Sequence, residues 1–99
     1  MNETSPGRTI IAAQSVPALP RHVRLRHDAA RGQWTVLAPE RVFKPDDIAI
    51  AVLQLCDGKR TVDAIAGELA RAYDAPKGEI LTDVIAMLQE LADKGVVRA

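Results

Sequence analysis

Arg41-Val42-Phe43-Lys44-Pro45-Asp46-Asp47-Ile48-Ala49-Ile50 changes its hydrophobic period part-way along. Up to Lys44 the stretch reads as a short strand carrying Val42 and Phe43, and Pro45 ends it because proline has no N–H to give to a ladder. Pro45, Asp46 and Asp47 then make a helix start: proline is tolerated in a first turn, and carboxylates there oppose the positive end of the helix dipole. Ile48, Val52 and Leu55 mark one face of that helix, flanked by Ala49 and Ala51, and Gly58 is its stop. A strand that becomes a helix across one proline predicts a sheet first and helices after it.

The residues before this switch alternate. Val23 and Leu25 take turns with Arg24 and Arg26, as in a half-buried strand. Asp28-Ala29-Ala30-Arg31-Gly32 is a turn, with Gly32 free to take positive φ. Gln33 to Leu37 is a second strand with Trp34 and Val36 on one face, and Pro39-Glu40 makes a tight corner into the third. The expected result is a three-stranded antiparallel meander. Residues 1–19, punctuated by Ser5-Pro6-Gly7, Ser15 and Pro17, show little periodicity and are expected to be a flexible tail or linker ahead of a domain at 20–99.

The residues after the switch are helical. Thr61 is an N-cap, and Ile65, Ala66, Leu69 and Tyr73 form the expected buried stripe of a second helix. Asp74 to Gly78 breaks the pattern. A third helix is expected from Glu79 to Lys94, with Leu81, Val84, Ile85, Leu88, Leu91 and Ala92 as its apolar face and Gly95 as its stop. Val96-Val97-Arg98 offers a short final strand. Such a sheet is too small to stand alone, so the helices must cover one face. The fold class is α+β, a winged helix-turn-helix-like arrangement of a three-stranded antiparallel sheet followed by three helices.

Composition narrows the function. Ninety-nine residues make one domain. Thirteen Lys and Arg balance thirteen Asp and Glu, which argues against a protein held to nucleic acid by bulk positive charge. The balance is uneven along the chain: residues 1–44 carry seven bases and three acids, residues 45–99 six bases and ten acids. Aromatic residues are Trp34, Phe43 and Tyr73 alone, so the core is aliphatic. One cysteine makes no disulfide framework, and no apolar run approaches the ~18 residues of a membrane span. Without an apolar signal region at the start, a soluble cytoplasmic domain is expected.

The catalytic inventory is thin. His22 and His27 are an odd number apart, so a strand would send them to opposite faces and not to one metal. Cys56 ends an apolar stripe and fits a small buried hydrophobe better than a nucleophile. Cys56-Asp57-Gly58-Lys59-Arg60-Thr61 has a Gly-Lys pair but not the second glycine of a phosphate loop. No catalytic residue, metal ligand or cofactor site is expected. DNA binding, the usual association of a winged helix, is disfavoured because the third helix carries Glu79, Asp83, Glu90 and Asp93 against Lys94. A sheet edge remains. Unpaired N–H and C=O groups along Arg41-Val42-Phe43-Lys44 can accept a strand from a partner peptide.

Several of these residues carry a resemblance. Pro20 through Leu25, Trp34, Leu37-Ala38-Pro39-Glu40-Arg41-Val42, Leu55-Cys56-Asp57-Gly58, Thr61-Val62, Ile65, Leu69, Tyr73, Asp83-Val84, Leu88 and Leu91 resemble the pyrroloquinoline quinone biosynthesis protein D (PqqD) family. The resemblance implies a non-catalytic peptide chaperone, a recognition element that binds the ribosomally made precursor peptide PqqA. It also implies association with the radical S-adenosylmethionine enzyme PqqE, which crosslinks a Glu and a Tyr of the bound peptide. The leader adds as a strand beside the third strand, against the third helix. Carried onto this chain, the site is Arg41, Val42, Phe43 and Lys44 with Leu81, Val84, Ile85 and Leu88. Arg24, Arg26, Arg41 and Lys44 suit the acidic peptides of that family and are expected to speed encounter more than they set affinity. The alternatives are an enzyme-binding scaffold that ignores the free peptide and a DNA-binding winged-helix regulator. The tail before Pro20 is longer than the family pattern needs. In some organisms this domain is fused behind the pathway's final oxidase, PqqC, and the tail is read as a linker remnant or a variable segment.

Overall fold

Alternation in the first half of the chain builds a meander of β1 (Arg24–Asp28), β2 (Gln33–Ala38) and β3 (Arg41–Phe43), ordered β1-β2-β3 and antiparallel throughout. The computed structural model describes residues 9–39 and 41–99; the corner residue Glu40, residues 1–8 and the Arg41 side chain lie outside the described set. Asp28 shapes the first turn, its Oδ1 accepting from the backbone N–H of Ala30 and Arg31, and Gly32 supplies the required positive φ of 62°. Direct ladder partners share a face. Leu25, Val36 and Phe43 therefore form a row on one side of the sheet, and Val36 at its centre is 1 % exposed. Arg24, Leu37 and Val42 form the opposite row, which faces away from the core.

Three helices cover the inner row: α1 (Asp47–Gln54), α2 (Val62–Tyr73) and α3 (Lys77–Asp93). The proline-carboxylate signal works as expected, with one refinement. Asp46 is the N-cap, its Oδ1 accepting from Ala49 N–H at 2.8 Å, and Pro45 stands just outside the helix. Thr61 caps α2 in the same way, accepting from Ala64 N–H at 3.0 Å. The third helix begins two residues earlier than Glu79, at Lys77, because Pro76 takes the extended cap position and needs no N–H there. α2 and α3 pack along each other while α1 meets α2 more lightly. Val52, Val62, Ile65 and Leu88 are completely buried between these layers. The winged-helix description fits the order of elements only loosely.

Two expectations for the helices fail at their ends. Ile48 and Tyr73, assigned by period to buried faces, are 56 % and 53 % exposed. The inward face of α1 keeps the expected Val52 and adds Ile50 and Leu53. Ile48 stands in the first turn of α1 and Tyr73 in the last of α2, where the apolar stripe has run past the layer that would cover it.

The flexible tail expected over residues 1–19 is also corrected, from Thr9 onward. Residues 9–19 form a strap across the helices. Ile11, Pro17 and Ala18 are buried. The first N–H groups of a helix have no intrahelical partner; here Val62 N–H donates to Ser15 O at 2.8 Å and Asp63 N–H to Ala13 O at 2.9 Å. Gly58 N–H donates to Pro17 O, and Ala18 and Arg98 exchange a pair of backbone bonds at 2.8 Å each. The final strand expected at Val96-Val97-Arg98 is reduced to that single bridge. The Gln89 side chain closes the strap's outer end: its Oε1 accepts from Ile11 N–H and its Nε2 donates to Thr9 O, both at 2.8 Å.

Candidate functional site

β3 pairs with β2 on one side and, among the described residues, has no strand on the other, so one row of its backbone groups is available for pairing. Beside that edge lies an open hollow of about 430 Å³. Phe43, Lys44, Pro45 and Ala49 line one wall; Met87, Glu90 and Leu91 of α3, with its C-cap Lys94, line the other. The floor is apolar and the rim charged. Lys94 pairs with Glu90 at 3.3 Å, and Lys44 and Asp46 both belong to the lining, so the rim mixes both signs.

The sequence-predicted site residues divide into groups. Arg41 contributes backbone, pairing with Ala38 in the ladder. Val42 is 62 % exposed, but its side chain belongs to the outer row, away from the hollow. Phe43 is half-buried and serves two roles, packing on the core and walling the hollow. Lys44 is exposed at the rim. On α3 the four expected residues lie away from this hollow. Val84 and Leu88 are 3 % and 0 % exposed and belong to the core; Leu81 and Ile85 pack against that core half-buried, and none of the four lines the hollow beside Phe43. At about 100° per residue, Leu81, Val84 and Leu88 occupy the middle of the apolar stripe. Ile80, Asp83, Met87, Glu90 and Lys94 form one edge, and Ile85 and Gln89 the other. The edge turned to β3 carries Met87 and Leu91. Met87 had no signal in the sequence beyond its place in the stripe, since the period fixes a stripe but not which strand lies beside it.

The reactive side chains elsewhere are engaged structurally. Cys56 is buried, its thiol donates toward Val52 O at 3.3 Å, and burial, with the nearby Asp57 charge, pushes its pKa up to about 12. Such a thiol is a poor nucleophile. The Asp57 carboxyl is held below its ordinary value by the Lys59 backbone N–H first, then by the Arg60 N–H and guanidinium, in the turn between α1 and α2. His27 packs on Trp34 across the ladder with ring centroids 4.8 Å apart. Among the described residues no group of three or more His, Cys, Asp or Glu could hold a metal, and no helix is long and apolar enough to cross a membrane.

Known proteins share this arrangement. Residues 33–97, about two thirds of the chain, match the family described as Coenzyme PQQ synthesis protein D (PqqD). The PqqA binding protein of Rhodopseudomonas palustris (strain BisB5) is 60 % identical over 85 residues, covering 86 % of this chain and 83 % of that one. The bifunctional coenzyme PQQ synthesis protein C/D of Methylorubrum extorquens is 48 % identical over 89 residues, 90 % of this chain but 24 % of that much longer one. The solution NMR structure of the PqqD truncation of Methylobacterium extorquens PqqCD superposes with a TM-score of 0.79 at 47 % identity, over 92 % of this chain and 97 % of that one. That truncation is described as a functional, stand-alone recognition element for ribosomally synthesized and post-translationally modified peptides. With its meander, three helices and open β3 edge, this chain belongs to the coenzyme PQQ synthesis protein D family.

Proposed function

We propose that this protein is a non-catalytic chaperone in pyrroloquinoline quinone biosynthesis, binding the precursor peptide PqqA as an added strand along β3 and presenting it to the radical enzyme PqqE in the cytoplasm. The observation that carries the strand reading is the unpaired edge of β3 beside an apolar-floored hollow against α3. The relatives named PqqA binding protein supply the peptide's identity. The recognition-element description of the superposable structure supports a binding role without chemistry.

Energetics support a shared load between backbone and side chains. β3 is three residues long. A guest paired to so short an edge makes only a few main-chain hydrogen bonds, each worth a net ~0.5–1.5 kcal/mol. Micromolar binding needs about 8 kcal/mol. The remainder must come from guest side chains entering the hollow between Phe43 and Met87.

Backbone amide NMR of labelled protein titrated with PqqA peptide tests the reading. Saturable shifts at residues 41–44 and along the Met87–Lys94 edge of α3, with new hydrogen-exchange protection on β3, are expected. Val42→Pro, checked for fold by its amide spectrum, is expected to abolish saturable binding. Shifts absent from β3 in the wild-type protein would overturn strand addition.

A further inference from the structure

A second hollow stands on the other side of Met87 from the first. It holds about 250 Å³ and is walled by Ile48 of α1, Leu69 and Tyr73 of α2, and Ile80, Val84 and Met87 of α3, with Asp83 the one charged side chain in its lining. Nearly all its lining is carbon. Ile48 and Tyr73, the two apolar residues left exposed on the helices against the trend of their own stripes, both stand on it. Each is more than half accessible, and an exposed Ile and Tyr facing a common apolar recess is an unfilled contact surface.

Its size limits its occupant. Cofactor and drug-like sites run from ~300 to ~1,000 Å³ and surround the ligand with several placed polar groups. This recess is below that range and offers one carboxylate, so it suits a single branched or aromatic side chain. Its position says what carries that side chain. Met87 lines both hollows, so they are neighbours along the same edge of α3, with Met87 between them. From Met87 to Ile80 is seven helical residues, about 10 Å at 1.5 Å each. An extended chain covers that distance in about three residues at ~3.3 Å each. A strand paired beside Phe43 and continuing past Pro45 and Ala49 therefore reaches Ile48 and Ile80 within a few residues. Met87 can adjust to either hollow because its unbranched side chain repacks at little cost. Asp83 at the lining disfavours an acidic residue beside the one inserted.

We propose that the α1–α2–α3 recess is an anchor pocket for one uncharged apolar side chain of the peptide, a few residues beyond the segment paired with β3. This rests on the strand-addition reading above and extends it: β3 supplies backbone pairing that any sequence can make, and the recess supplies the choice of sequence and register.

Ile48→Ser and Tyr73→Ser remove pocket walls at exposed positions, where the fold has least to lose. Each is expected to weaken PqqA binding by at least about tenfold in Kd by calorimetry, while the saturated complex still shows amide shifts at Val42 and Phe43. In the wild-type protein, methyl-labelled Ile48 and Ile80 are expected to give intermolecular NOEs to one Leu, Ile, Phe, Val or Tyr side chain of the peptide. Replacing that peptide residue with Asp is expected to cost at least as much as Ile48→Ser. Unchanged Kd in both variants, with β3 shifts intact, would overturn the pocket and leave strand addition standing. Loss of the β3 shifts in the wild-type protein would overturn both. Shifts at Ile48 and Tyr73 that depend on protein concentration without peptide would assign the recess to a second copy of this chain and overturn the proposal.

Discussion

On one flank of α3, Gln89 holds the backbone of Thr9 and Ile11; on the other, Met87 and Leu91 face an open trough beside Phe43. Two residues separate Gln89 from Met87, a rotation of about 200° at 100° each. The protein covers the first flank with its own chain. The strap brings complementary polar groups there: carbonyls for the unpaired N–H groups of α2, and a peptide group matched by one side-chain amide. On the second flank the sheet stops at β3, and among the described residues nothing pairs with its outer edge. The strap thus shows within the same fold what an extended segment gains by lying against these helices. In the strand-addition proposal, the β3 flank is the corresponding place for a segment from another molecule.

The strongest test of this contrast compares neighbours on α3. Leu88→Ala is expected to cost about 2–5 kcal/mol of stability, the range for a fully buried Leu. The fraction that stays folded should bind peptide with unchanged affinity. Met87→Ala should do the reverse, costing ~1 kcal/mol or less of stability at a half-buried site and about tenfold or more in Kd. Urea melts and calorimetry on both variants read the two effects separately. If Leu88→Ala weakened binding at full occupancy of the folded state, the middle of the stripe would belong to the site after all.

The closed flank predicts a smaller effect. Gln89→Ala removes both hydrogen bonds that clamp residues 9–11 and is expected to cost about 1–3 kcal/mol, since partly buried backbone groups lose their partners. The loss should be local. Exchange of the Ile11 amide should accelerate while that of Val36 barely changes, and peptide affinity should stay within about twofold. Weakened binding in this variant would mean that the two flanks are coupled through α3.

Much of this was legible in the sequence, for reasons that individual residues make plain. Pro45-Asp46-Asp47 marked the change from strand to helix, because proline and first-turn carboxylates act locally. Gly32 marked a turn and Gly95 the end of α3, because a positive φ is a property of one residue; Gly58, read as the stop of α1, also has a positive φ but stands in the turn four residues past Gln54, where that helix ends. The strap was missed for the complementary reason. Thr9 to Leu19 has no period, and its bonds go to Val62, Asp63, Gln89 and Arg98, far along the chain. The proposed site was half legible. An edge strand announces itself at Arg41–Phe43, but choosing Met87 over Val84 and Leu88 requires the rotation of α3 about its own axis. Ile48 and Tyr73 likewise looked like core by spacing, and only the end of the covering layer shows that they are not.

The smallest predicted effect reports how dry the closed side is. Cys56 precedes Asp57 and Gly58, the two residues that Ala18 and Pro17 of the strap grip. Its thiol is raised from an ordinary 9.0 to about 12, mainly by burial. A raised acid binds its proton more tightly in the folded chain than in the unfolded one. Below pH 9 both states hold the proton and stability is unaffected. Between pH 9 and about 12 the unfolded thiol ionises while the folded one does not, so stability falls as pH rises, by up to ~1.4 kcal/mol per pH unit. At pH 10 the loss should reach about 1.4 kcal/mol in the wild-type protein and be missing from Cys56→Ala, whatever Lys and Tyr residues contribute equally to both. Urea midpoints of the two proteins at pH 7, 9 and 10 should therefore converge as pH rises. Parallel curves would mean that water reaches the thiol and that the strap does not seal this side.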